Sequence, residues 1–198
     1  SVFLFCMMRH FKPQRIIEIG SGHSSAIMLD TNEHFFDNKI HCTFIEPFPE
    51  ERLMQILRES DKLSHQIIKE KVQSVKLEVF QMLNKNDILF IDSTHVSKIG
   101  SDVNHLLFEV LPSLKPGVLV HFHDIFYPFE LPKHWVLESR YFWNENYILR
   151  AFLMNNEKYE IIIFNTYLQK IKPDWFKKEM PECTEKSEGT GSIWLRKL

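Results

Sequence analysis

The sequence predicts an α/β fold, a doubly wound and mostly parallel seven-stranded sheet with an antiparallel C-terminal edge strand. Three observations predict it. Apolar runs alternate with amphipathic stretches from one end of the chain to the other. The runs are nearly continuous in apolar residues, as strands are when both faces of a sheet are covered. The first of them ends in a turn, Gly20-Ser21-Gly22, that leads straight into a helical pattern. At 198 residues the chain is long enough for a buried core, and residues 1–198 read as one domain.

The elements follow in order. The apolar opening from Ser1 to Met8 lacks a preceding basic stretch and runs into Arg9-His10-Phe11-Lys12, the pattern of a packed helix and not of a signal peptide. Arg15 to Gly20 is a buried strand, and His23 to His34 is the helix after the turn. Ile40 to Glu46 is the second strand, stopped by Pro47-Phe48-Pro49. Glu50 to Ser60 is a helix with acidic residues at its start, where the helix dipole favours them. Gln66 to Val72 and Asp87 to Asp92 are the third and fourth strands. Asp102 to Leu111 is a helix ended by Pro112, and Gly117 to Phe122 is the fifth strand. Residues of about 126–147 are dense in aromatics and prolines and form a structured insertion. Trp143 to Asn155 is a helix, and Tyr159 to Asn165 and Ser192 to Leu198 are the last strands. The charged stretch of about residues 170–191 is too long for a tight hairpin and is expected as a surface flap or a homo-oligomer contact.

Composition excludes several classes. With 24 Lys+Arg against 26 Asp+Glu the net charge is -2, which lacks the basic footprint of a nucleic-acid binder. No apolar run approaches the roughly 20 residues needed to cross a bilayer. Cys6, Cys42 and Cys183 are widely separated and form neither a Cys-x-x-Cys pair nor a disulfide framework, so a cytoplasmic setting is expected. The partner to expect is a small molecule.

The strongest local signal is Glu18-Ile19-Gly20-Ser21-Gly22-His23-Ser24-Ser25, between a strand and a helix. Glycines there let the backbone approach a ligand, and the helix start offers free N–H groups to an anionic group. The third glycine of a dinucleotide fingerprint is missing, with Ser25 in its place. The second strand ends in Glu46, where an acidic side chain accepts hydrogen bonds from ribose hydroxyls in doubly wound nucleotide sites. The alternative is a tight turn plus a surface glutamate.

These residues carry a resemblance. Arg15 to Gly22, then Phe44-Ile45-Glu46-Pro47, then Asp87 to His95 resemble the class I S-adenosylmethionine-dependent methyltransferases, over roughly Phe11 to Phe164. Asp92-Ser93-Thr94-His95 followed by His123-Asp124 resembles the small-molecule O-methyltransferases that include macrocin-type sugar methyltransferases and relatives of cephalosporin hydroxylase. Trp143 to Leu149 is similar to bacterial members of that group. The resemblance implies a Rossmann-like methyltransferase fold and S-adenosylmethionine as cofactor. Gly20 and Gly22 would line its methionine end, Glu46 would hold its ribose, and Gln73 would lie near its adenine. Glu18, Ser21, His23, Ser24 and Asp92 complete the candidate cofactor set, with His23 a candidate contact for the methionine carboxylate.

Asp92 ends the fourth strand, and His123-Asp124 end the fifth, so they should open onto one crevice with His95. Asp92, His123 and Asp124 form a candidate site for a divalent cation, Mg²⁺ or Mn²⁺, that would bind an acceptor hydroxyl and lower its pKa. The resembling family carries an acidic residue where His123 stands, which leaves a Mn²⁺-like or Zn²⁺-like site, a weak site or no metal. By the same resemblance His95, with Asp92, is the candidate catalytic pair, His95 as general base. An ordinary imidazole pKa of about 6.5 suits that task. The alternative for His95 is a cap on the turn. The other histidines show no ligand spacing. The aromatic insertion is either a substrate wall or core packing. Glu145 is either a contact for a substrate hydroxyl or a partner of Arg140 or Arg150.

The expected function is S-adenosylmethionine-dependent methyl transfer to a hydroxyl of a small molecule, such as a sugar or natural product. The rivals are a non-catalytic cofactor-binding or scaffolding relative and an NAD-linked oxidoreductase. The missing third glycine disfavours the last.

Overall fold

The computed structural model describes residues 2–181 and 191–198. Among them seven strands form one sheet: β1 (Arg15–Ile19), β2 (His41–Ile45), β3 (Gln66–Ile68), β4 (Ile88–Ile91), β5 (Leu119–His123), β6 (Tyr159–Phe164) and β7 (Ser192–Lys197). Their order is β3-β2-β1-β4-β5-β7-β6. The first five are parallel, and β7 runs antiparallel to both of its neighbours. The antiparallel strand is therefore the C-terminal one, as expected, but it lies inside the sheet and β6 takes the edge. Burial explains the order. Ile193, Trp194 and Leu195 of β7 are fully buried, whereas β6 exposes Ile161, and a strand apolar on both faces belongs in the interior.

Eleven α-helical segments surround the sheet among the described residues. The first two, α1 (Val2–Phe11) and α2 (His23–Phe36), cover one face, where Leu4, Met8, Met28, Phe44, Phe90 and Trp194 pack together. Next come α3 (Leu53–Ile56), α4 (Glu59–Ser64) and α5 (Leu77–Gln81). Then α6 (Asp102–His105) widens into a π turn over Leu106–Val110 and continues as α7 (Leu111–Ser113). The widened turn precedes Pro112, which has no N–H to donate to a regular helix. The other face of the sheet packs Ile17, Phe80, Leu107, Val120, Phe122 and Leu149. Along β4 and β5 alternate side chains reach opposite faces, as strand geometry requires: Phe90 belongs to the first core and Leu89 to the second.

The remaining helices are α8 (Lys133–Leu137), α9 (Glu145–Leu153), α10 (Asn165–Ile171) and α11 (Pro173–Glu179). Three expectations are adjusted. The helix over 50–60 is split, because Leu57 turns extended to bury itself and the Asp61 carboxylate accepts from the Arg58 N–H to start α4. The third strand ends at Ile68, where charged residues 69–71 leave its only partner, β2. Residues 170–181 of the expected flap are largely helical, and the rest of it, 182–190, lies outside the described residues. None of the described helices is long and apolar enough to cross a membrane.

Candidate active site

The turn after β1 is shaped by contact with β4. Gly20 has φ +80, and a Cβ there would stand 1.7 Å from the backbone oxygen of Asp92, so only glycine fits. Glu18, one residue before the end of β1, is fully buried beneath this turn and accepts hydrogen bonds from the hydroxyls of Ser24 and Ser25. Burial pushes its carboxyl up to about 7; the two serine hydrogen bonds act against the rise and the charge of Asp92 adds to it. Glu18 thus holds the loop from behind and lines none of the cavities in front of it.

Two adjoining cavities open at the carboxyl ends of the strands. The first, of about 440 Å³, is lined by Gly20, Glu46, Gln73 and Asp92, with Lys98 and Gly100 on a facing loop. One oxygen of Glu46 accepts from the N–H of Phe48 (3.0 Å), which fixes the carboxylate at the tip of β2. Gln73 donates to the Gly100 oxygen (2.9 Å) and ties the two rims. The second cavity, of about 600 Å³, adds Ser21, Arg52, His95, Asp124 and Trp143. Gly22, His23 and Ser24 line neither of these; they face a third cavity beside α1.

Asp92, His95 and Asp124 come together, their ligand atoms all within 4.8 Å of one another. His95 is buried and lies at the centre. Its Nε2 is 3.2 Å from Asp92 Oδ1 and 3.9 Å from Asp124 Oδ2, and its Nδ1 is 2.7 Å from Glu145 Oε2. Trp143 covers the ring, with centroids 4.3 Å apart. Burial works against charging this imidazole, but the hydrogen bonds and charges of Asp92 and Glu145 prevail and lift it to about 10. His95 is therefore an imidazolium around neutral pH, and the expectation of an ordinary histidine pKa is corrected. Burial raises the Asp124 carboxyl, while His123 and His95 counteract the rise. His95 (φ 59) and Asp124 (φ 54) both adopt left-handed backbone, which is unfavourable for residues other than glycine and concentrates at functional sites.

Surrounding structure enforces those conformations. The His95 oxygen accepts from the N–H groups of Asn144 and Glu145 (3.1 Å each), and Asn144 exchanges two hydrogen bonds with Ser97. Asp102 accepts from both the N–H and the hydroxyl of Thr94. The start of α9 thereby locks the loop after β4. Glu145, 1% exposed, pairs with His95, not with Arg140 or Arg150. Its chain separation of 50 residues leaves no local signal; the hint was an acidic residue among aromatics.

His123 is not part of the cluster. It shares a face of β5 with His121, and its Nδ1 sits 3.3 Å from His121 Nε2 in the third cavity. It approaches Asp124 from that side only, at 3.7 Å. In the expected cation site, Asp92, His123 and Asp124, His95 takes the place of His123.

The domain that carries these residues is similar to known proteins. A profile described as "Methyltransferase domain" matches residues 17–125, from β1 to just past β5. The chain belongs to the methyltransferase-domain family. An uncharacterized protein of Archaeoglobus fulgidus is 40% identical over 87 residues, covering 42% of this chain and 37% of that relative. The SAH-bound methyltransferase PaMTH1 of Podospora anserina shares the fold with a TM-score of 0.59 and 17% identity, over 99% of this methyltransferase and 76% of that chain. A cmcI structure described as holding Mg and SAM has a TM-score of 0.55 and 15% identity, over 100% of this chain and 70% of that one. At such identities the two structural likenesses speak for the fold.

Proposed function

We propose that this methyltransferase moves the methyl group of S-adenosylmethionine onto a hydroxyl of a small molecule, of the kind found in sugars and natural products. The observation that carries the reading is the convergence of the Gly20 turn, Glu46 and the Asp92–His95–Asp124 cluster on one crevice, with Asp92 lining each of its cavities. The residues fit the cofactor. Glu46 keeps one carboxylate oxygen for ribose hydroxyls, Gln73 stands where the adenine would end, and the Gly20 turn gives the methionine end a close approach. The bound cofactor supplies a methyl group on a sulfonium.

The protein's own task is to align an oxygen and remove its proton. His95, as an imidazolium, donates toward the acceptor oxygen and stabilises the charge that develops there. Asp124, whose carboxyl is raised above the ordinary range, takes the proton. Glu145 and Trp143 keep the ring in place. In place of that donation, a His95 that has lost its Nε2 proton would hold one Mg²⁺ or Mn²⁺ with Asp92 and Asp124, and the ion would then supply Lewis acidity to the same oxygen. The non-catalytic reading loses its support, since His123 stands outside the cluster. An exposed, free Cys6 accords with a cytoplasmic setting.

Calorimetry with S-adenosylmethionine and S-adenosylhomocysteine tests the first half, and release of S-adenosylhomocysteine in the presence of hydroxylated acceptors tests the second. A folded protein that binds neither cofactor form sinks the proposal.

A further inference from the structure

We propose that Glu145 is the positioning residue of the cation site: by accepting a hydrogen bond from Nδ1 of His95 it leaves Nε2 as the one ring nitrogen with a lone pair for a divalent cation held by Asp92 and Asp124. The inference rests on the cation reading above and does not depend on which molecule is methylated. Glu145 opens α9, 50 residues along the chain from His95, and both side chains are buried. Its Oε2 lies 2.7 Å from Nδ1. An ionised carboxylate only accepts, so the hydrogen of this contact belongs to Nδ1. On the other side of the ring, Nε2 lies 3.2 Å from Asp92 Oδ1 and 3.9 Å from Asp124 Oδ2.

Glu145 holds the histidine at two points. Its own N–H donates to the His95 oxygen (3.1 Å), while its carboxylate takes the ring. The two residues before it complete the clamp. The Asn144 N–H donates to the same oxygen, and Trp143 lies across the ring and is itself stacked on Tyr141 at 4.6 Å. A half-turn of the imidazole would put a C–H against Glu145, so the bond to Nδ1 also fixes which edge of the ring faces Asp92 and Asp124.

Stability alone does not account for the pair. Taking two opposite charges out of water costs about as much as their attraction contributes. Here Glu145 Oε1 is buried with no hydrogen-bond partner among the described residues, and His95 carries left-handed backbone (φ 59). A carboxylate behind a ligating histidine has a definite task, to fix the tautomer and the orientation of the ring. Without an acceptor at Nδ1, a neutral imidazole would keep its proton on Nε2, where Asp92 accepts it. The cation would then lose its nitrogen ligand.

The test uses the full chain with Mn²⁺ as the probe, at one fixed pH, after S-adenosylhomocysteine binding has been measured. Pulsed electron paramagnetic resonance, on protein grown with histidine isotopically labelled at Nδ1 or at Nε2, reads which ring nitrogen touches the ion. His95→Gln identifies the signal. The parent should show direct coupling to Nε2 alone. Glu145→Leu, which removes the acceptor, should abolish that coupling and lower Mn²⁺ affinity to the level of His95→Gln. Glu145→Gln, whose amide oxygen still accepts from Nδ1, should restore it. A residue that only started α9 would leave the coupling the same in all three proteins. Direct coupling to Nδ1, no nitrogen coupling in the parent, coupling that persists in Glu145→Leu, or coupling lost in Glu145→Gln each overturn the inference. The first two are read on the parent alone, so they decide even where a variant fails to fold. A protein that binds S-adenosylhomocysteine but no Mn²⁺ overturns the inference and leaves methyl transfer standing. Failure to bind S-adenosylhomocysteine overturns the methyltransferase reading, and the Mn²⁺ signals then decide this inference separately.

Discussion

Glu18 puts a pH dependence into the stability of the fold. Its carboxyl titrates at about 7 in the folded chain against an ordinary 4.5, chiefly because it is buried without a cationic partner. Below the lower value both states hold the proton and nothing is lost. As pH rises from there to the folded value, the unfolded chain releases its proton first, so folded stability falls; above it the deficit is constant. With about 1.4 kcal/mol for each tenfold difference in proton affinity, the gap amounts to about 3 kcal/mol. That is a large share of the roughly 5–15 kcal/mol that holds a domain together. Glu18→Gln keeps the shape and a partner for Ser24 and Ser25 but cannot ionise. Urea unfolding followed by circular dichroism, on both proteins at several pH values from about 4.5 to 8, gives the difference directly. His95, Asp124 and Glu145 titrate in both proteins, so their effects largely cancel. The variant should gain about 3 kcal/mol relative to the parent across that range. A difference that stays flat with pH would refute the assignment of a raised pKa to Glu18.

Other expectations concern the crevice. Gly20→Ala places a methyl 1.7 Å from the Asp92 oxygen, so cofactor affinity should fall by about a hundredfold or more as the loop is displaced, by calorimetry, with a lowered melting temperature. His95→Gln should cut turnover by roughly 10²–10⁴-fold and leave S-adenosylhomocysteine affinity within a few-fold; an equal loss in binding would make His95 a cofactor ligand instead. Mn²⁺ affinity should rise with pH between about 6 and 9, because the ion must displace a proton that His95 holds up to about 10. Affinity independent of pH would remove His95 from the ligand set.

Much of the architecture was legible because period and punctuation are local. Continuous apolar runs mark β1, β2, β4 and β5, and Gly20 announces the turn by its type alone. The cluster of Asp92, His95 and Asp124 was legible only in part. Chain order puts His123 beside Asp124, and both do end β5, but strand alternation sends His123 toward α1 with His121 while Asp124 turns left-handed into the crevice. His95 enters the cluster through a loop held by α9, a contact no local pattern encodes. The loop residues split for a similar reason. Glu18 precedes the turn and points inward, so it braces serines where a ligand contact was expected. The position of β7 was beyond reach of a count of strands, since its burial only has meaning once β5 and β6 flank it.

That position also constrains how the chain is made. β6 pairs with β7 alone, yet a ribosome finishes β6 some 27 residues before it begins β7. During that interval a nascent chain carries a strand with no place in the sheet and a β5 margin open to wrong partners. The sheet closes from within and late, when Trp194 slides into its slot, so a transcript cut short near codon 191 should yield an aggregating product and not a smaller working enzyme.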